Sequence, residues 1–203
     1  MYKRQVDLTK TRVDSIASSA HKLGGPKGVG ALVLRDQATI RPFLLGGGQE
    51  RGHRGGTENV IGIAGYGAAC RAAAATGAAQ GETMRRLRDR LWRGIQTGIS
   101  GVRWNGDPVR TLANTLNVGF AGVAGEVLLQ ALDLEGISVS AGAACHSGSI
   151  EPSKVLLAMG KTPEEARGSL RFSLGQGVDE AQIDRTIELL AKLVPRIREL
   201  GEP

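Results

Sequence analysis

The chain predicts an α/β enzyme, and three observations carry that prediction. Strand-like and helix-like segments alternate through both halves of the 203 residues. Glycine is abundant, at 30 residues against three Phe, two Trp and two Tyr. That balance suits tight turns and close backbone approaches better than an aromatic-lined nucleic-acid platform. Finally, one lysine, Lys22, stands between small residues and a glycine-rich exit in SSAHKLGGPKGVG. There an amine can condense with a carbonyl while neighbouring hydroxyl, imidazole and N–H groups hold a phosphate. Read alone, the window is more simply a surface loop, because Gly, Pro and Lys are ordinary turn residues.

The elements follow in order. Val13–Ser19 reads as a short strand and Gly30–Arg35 (GALVLR) as a second, so Lys22 lies on the connection between them. From Gly46, the run GGGQERGHRGGTEN cannot hold regular structure, because five of its first ten residues are glycine and a sixth follows. It is expected to be a loop shaped by positive φ or by close approach to another segment. Thr57 or Asn59 is placed to cap the next helix, which runs through IGIAGYGAACRAAAATGAAQ and extends towards ETMRRLRDRLWRGI. Its alanine-rich part is expected to pack closely against another element, and Cys70 within it to be a small core residue. Arg85, Arg86, Arg88, Arg90 and Arg93 surround Leu87, Leu91 and Trp92, as on an amphipathic helix with a solvated basic face.

Composition loosens around Gly77–Glu82, which sets the expected division into residues 1–80 and 81–203. Beyond it come a strand at 115–120 (TLNVGF), a helix over Glu126–Leu134 stopped by Gly136, and a strand ISVSAG. The loop AGAACHSGSIEPS around Cys145 follows, then a helix at Lys154–Met159 and a cap at Thr162-Pro163-Glu164-Glu165. The strand SLRFSL and a last amphipathic helix from Asp179 complete the chain, with Pro195 expected to kink or fray that helix.

Composition narrows the function classes. Apolar residues at 41% and charged residues at 23% are ordinary globular values and exclude a disordered chain. The net charge of +6 comes from dispersed basic residues, so no specific nucleic-acid partner follows from it. Cys70 and Cys145 form no CxxC and no disulfide framework, which points to a reducing compartment. With no run of 18 apolar residues and no signal peptide, a soluble, cytoplasmic protein without a membrane partner is expected. His21, His53, His146, Cys70 and Cys145 lack ligand spacing, so no metal site is expected. Met1–Gln5 (MYKRQ) reads as an assembly scar, the translated end of a sequencing adapter, and the expectation is that an N-terminal half is missing before Val6.

Four motifs together resemble one family. SSAHKLGGPKGVG is similar to the pyridoxal-phosphate lysine motif of NifS-type cysteine desulfurases, members of the class V aminotransferase superfamily. GGGQERGHRGGTEN is similar to their glycine-rich loop, SAGAACHSGSIEPS to their catalytic cysteine loop, and LRFSLG to the strand after it. The resemblance covers nearly the whole chain after the first residues. It implies pyridoxal-phosphate fold type I, represented by the C-terminal part of the large domain and the complete small α/β domain. It also implies conversion of L-cysteine to L-alanine, with sulfur passed to an enzyme cysteine as a persulfide for iron–sulfur cluster assembly or thiolation.

By the same resemblance, Lys22 carries pyridoxal phosphate covalently and then serves as the base at Cα, which requires its proton affinity to be lowered from that of a free lysine. Ser19 and His21 hold the cofactor phosphate, and Thr57 is offered to the phosphate of a neighbouring subunit, which implies a homodimer. Cys145 takes the sulfur as a thiolate. Arg171 pairs with the substrate carboxylate, a role that suits a planar guanidinium. A sulfur-acceptor or iron–sulfur scaffold protein is the implied partner.

The family's cofactor-stacking histidine, the aspartate on the pyridine nitrogen and a glutamine near the phenolic oxygen have no counterpart here, since Asp7 and Asp14 lie in other contexts. The chain as written is therefore expected to hold the cofactor weakly or not at all, and to leave one side of a sheet uncovered. Two alternatives stand beside this reading. One is a truncated, non-catalytic interaction module. The other is a different class V enzyme such as a selenocysteine lyase, which would not need Cys145 in this loop.

Overall fold

The computed structural model describes residues 9–35, 38–142 and 151–201, so Met1–Gln5 and Cys145 lie outside the described residues. The chain forms two compact units, Met1–Ala79 and Gln80–Pro203.

In the first unit, β1 (Ser15–Ser19) and β2 (Gly30–Leu34) pair antiparallel, from Ser15 opposite Leu34 to Ser19 opposite Gly30. A 3₁₀ turn, Ala20–Leu23, leaves the end of β1. Gly24 terminates it at φ 80°, a conformation that costs a residue with a Cβ about 1 kcal/mol or more. Ala20 N–H donates to Val29 O at 3.0 Å and Gly25 N–H to Ala20 O at 2.9 Å, closing the turn.

A two-stranded ribbon is marginal alone. Here its turn rests on the start of α1 (Val60–Gly98), where Cβ atoms are kept small. A Cβ on Gly65 would stand 2.9 Å from Pro26 Cγ, and one on Gly25 would stand 3.1 Å from Ala69 Cβ. Asn59 caps α1, its Oδ1 accepting the Gly62 N–H at 3.0 Å. The glycine-rich run is an irregular loop drawn together at its ends, with Gly55 N–H donating to Leu44 O at 2.9 Å. Both expected devices operate in it. Gly46 and Gly55 approach too closely for side chains, and φ is positive at Glu50, Arg51, Gly52 and Gly56.

The second unit is built on a four-stranded sheet ordered β3 (Val102–Trp104), β4 (Thr115–Phe120), β6 (Ser169–Ser173), β5 (Ser140–Ala141). Every pairing in it is antiparallel. β4 and β5 therefore run in the same direction, joined by α2 (Gly125–Leu134), with β6 inserted between them as in a split βαβ unit. One face alternates into the core through Leu116, Val118, Phe120, Leu170 and Phe172. Leu87, Leu91 and Ile95 of α1, Leu128 and Leu132 of α2, and Leu190 and Val194 of α5 (Glu180–Gly201) share that core. Each such side chain contributes about 1.5–3 kcal/mol through burial. The opposite face is polar.

Ser153 caps the short α3 (Lys154–Ala158), its Oγ accepting from Leu156 N at 3.4 Å. Thr162 and Glu165 form the expected capping box on α4 (Pro163–Arg167), at 3.2 and 2.9 Å.

Several expectations are corrected. Cys70 is exposed rather than a core residue, because it lies on a face of α1 that the described residues leave uncovered. Close packing against the lysine turn is seen at Gly65 and Ala69, whereas Ala72, Ala74, Ala75, Ala78 and Ala79 are exposed. Arg88 does not join a solvated basic face but is 2% exposed. The strand expected over ISVSAG pairs only at Ser140–Ala141. α5 continues through Pro195 without fraying, since buried Val194 and Ile197 hold the turn that the missing N–H weakens. β3 has no alternation of its own in the sequence and exists through its pairing with β4.

Candidate functional site

In the first unit, β1 delivers Ser19, His21 and Lys22 within a single turn. Ser19 is the extended residue that opens the 3₁₀ segment, and its hydroxyl makes no capping hydrogen bond. His21 and Lys22 fall in the last turn, both exposed, beside the fully buried Ala20 that pins the segment. Gly30, across from Ser19, is required by space, because a Cβ there would stand 2.4 Å from Ser18 O. Ser18 Oγ is hydrogen-bonded to the Tyr66 hydroxyl of α1. The turn is thus tied to the helix by a polar contact as well as by glycine packing. Thr57 lies exposed in the same unit, in the segment that enters α1.

This donor set fits pyridoxal phosphate. Lys22 offers a primary amine for the aldehyde, and the uncommitted Ser19 hydroxyl and the exposed His21 imidazole offer hydrogen bonds to a phosphate.

In the second unit, Arg171 is the central residue of β6, on the face opposite the core. Asn117 of β4 and Ser140 of β5 lie directly across from it on either side. Its Nη2 donates to Ser140 Oγ at 3.2 Å. Its Nε is buried and has no hydrogen-bond partner among the described residues. Burial without a partner is costly for a charged group, so this donor is suited to an anionic oxygen. Farther along the same face, Asn105 Nδ2 donates to Asn117 Oδ1 at 2.8 Å and to Ser169 Oγ at 2.9 Å. Among the described residues no group of three or more His, Cys, Asp or Glu is placed to hold a metal ion, and no helix is long and apolar enough to cross a membrane.

Two contributors were not read from the sequence. Tyr66 belongs to a helical stripe of Gly62, Gly65, Tyr66 and Ala69, a spacing that could have marked the face receiving the lysine turn. Ser140 had no such signal, because its place beside Arg171 depends on strand register.

The mixed α/β architecture, with this split antiparallel sheet in its second unit, is that of the fold type I pyridoxal-phosphate enzymes. The class-V aminotransferase family model matches residues 1–186, and the chain belongs to that family. It is 45% identical over 198 residues to a cysteine desulfurase IscS of Clostridium botulinum, covering 97% of this chain and 50% of that protein. It is 46% identical over 194 residues to a cysteine desulfurase of Cereibacter sphaeroides, covering 96% and 49%. A solved NifS-like protein shares the fold with a TM-score of 0.84 at 34% identity, covering 96% of this chain and 50% of that one. The chain spans about half the length of the curated relatives it matches.

Proposed function

We propose that this chain is the C-terminal part of a cysteine desulfurase, with residues 1–80 the remainder of the pyridoxal-phosphate domain and 81–203 the small domain. The observation that carries the reading is the buried, unpartnered Nε of Arg171, on a strand whose neighbour β5 leads towards Cys145 in sequence. The similarity to curated cysteine desulfurases supports it.

Lys22 is the covalent attachment point, and Ser19, His21 and a second protomer's Thr57 hold the phosphate of the cofactor. Pyridoxal phosphate, when bound, supplies the electron sink that makes the substrate Cα acidic. Arg171 grips the L-cysteine carboxylate and fixes which Cα bond is exposed. Lys22 Nζ removes and returns the proton at Cα. The Cys145 thiolate takes the substrate sulfur, so that one thiol and L-cysteine become one persulfide and L-alanine. A sulfur-acceptor or iron–sulfur scaffold protein then receives that sulfur in the cytoplasm.

The test is sulfide release and alanine formation from L-cysteine by the native protein loaded with pyridoxal phosphate. Cys145→Ala is expected to abolish sulfide release in the presence of reductant while retaining the cofactor's visible absorbance. Lys22→Ala is expected to lose that absorbance. Undiminished sulfide release by Cys145→Ala would refute the assignment.

A further inference from the structure

Arg171 has one residue opposite it on each side, and only one of them serves it. Asn117 has its Oδ1 engaged by Asn105 Nδ2 at 2.8 Å. Ser140 directs its hydroxyl to the guanidinium and accepts from Nη2 at 3.2 Å. The contact binds one end of the planar fork to β5 and leaves Nε as a desolvated donor. A guanidinium on a long, flexible stem has many orientations in which its donors miss a carboxylate, and fixing one nitrogen removes most of them before ligand arrives.

We propose that Ser140 is a positioning residue for substrate binding, holding the Arg171 guanidinium by Nη2 so that its remaining N–H groups are aimed at the substrate carboxylate. The inference rests on the reading that Arg171 takes that carboxylate. Ser140 itself touches no reacting atom. Its effect belongs to binding rather than to proton or sulfur transfer, and removing it acts on substrate and transition state alike.

The experiment is steady-state kinetics with L-cysteine on the native protein loaded with pyridoxal phosphate, comparing Ser140→Ala, Ser140→Thr and Arg171→Lys with wild type. Ser140→Ala is expected to raise KM about tenfold, the scale of one hydrogen bond to a charged group, with kcat within about twofold. Ser140→Thr keeps the hydroxyl and is expected to restore KM to within about twofold of wild type. If the alanine variant melts below the assay temperature, Ser140→Val against Ser140→Thr makes the same comparison at nearly equal volume.

An unchanged KM in Ser140→Ala overturns the proposal, as does a fall in kcat as large as the fall in kcat/KM, or a threonine variant no better than alanine or valine. Arg171→Lys separates the two levels of the argument. If it raises KM while Ser140→Ala is silent, only the role of Ser140 falls. If Arg171→Lys is also silent, the carboxylate reading fails with it.

Discussion

The Arg88 guanidinium stands over the Trp104 ring, 5.3 Å from its centroid, and Trp104 in turn meets Trp92 edge-on at 5.5 Å. The same guanidinium donates to Leu112 O at 2.9 Å and to Asp89 at 2.6 Å from Nη2, with its side chain 3% exposed. It therefore joins α1, β3 and the segment entering β4 through one charged group. Arg88→Ala is expected to cost about 2–3 kcal/mol, combining the loss of a desolvated cation–π contact with the loss of a charged hydrogen bond to the Leu112 carbonyl. Arg88→Lys recovers only part of this, because one ammonium cannot reproduce the fork. Urea unfolding followed by tryptophan fluorescence checks both values.

Gly30 tests whether the lysine turn depends on the hairpin beneath it. A Cβ there would sit 2.4 Å from the Ser18 carbonyl oxygen, and backbone cannot rotate away as a side chain can. Gly30→Ala is expected to cost about 1–3 kcal/mol through forced strand displacement. Weakened visible absorbance on titration with pyridoxal phosphate is the accompanying result, since Ser19 lies directly across the pair.

Arg90 and Asp184 join α1 to α5 through a two-pronged ion pair, both bonds at 2.7 Å. The hydrogen bond to Arg90 and its charge hold the Asp184 carboxyl below the ordinary aspartate value of 3.8. A lowered folded value means that the pair stabilises above that ordinary value and loses its contribution as pH falls through the folded one. Both side chains are 43% exposed, so the effect is modest. Asp184→Asn is expected to lower Tm by about 2 °C at neutral pH and to converge with wild type as pH falls through the folded value of Asp184, read by calorimetry.

Asn105 tests the polar face of the sheet. It serves Asn117 and Ser169 at once, while Ser169 Oγ donates to Glu165 O at 2.6 Å. Asn105→Ala is expected to destabilise by about 2 kcal/mol, because it removes two hydrogen bonds from a buried Ser169 and a half-buried Asn117. Denaturant unfolding gives the number.

Much of this fold was legible where local chemistry decides it. The two strands around Lys22, the β4 alternation and the Thr162–Glu165 box declare themselves through periodicity or capping residues. What escaped reading depends on partners distant in sequence. Val102–Trp104 is too short to show alternation and becomes a strand only by pairing with β4. Arg88 looks solvent-facing in a helix pattern until Trp104 folds beneath it. Pro195 lies within α5 between buried Val194 and Ile197, so the helix does not end at it. For the site, motif resemblance names Ser19, His21, Lys22, Thr57, Cys145 and Arg171, of which Cys145 lies outside the described residues. Ser140 became visible only when register placed it opposite Arg171.

The strand order carries a consequence for how the molecule is made. β6 is the last strand in sequence yet lies between β4 and β5. During synthesis β5 has no edge to join until Ser169–Ser173 have emerged, so the sheet closes late, through contacts between residues far apart along the chain. Arg171, proposed to take the substrate carboxylate, is thus carried by the keystone strand. A polypeptide that stops short of it forfeits the assembled sheet along with the guanidinium.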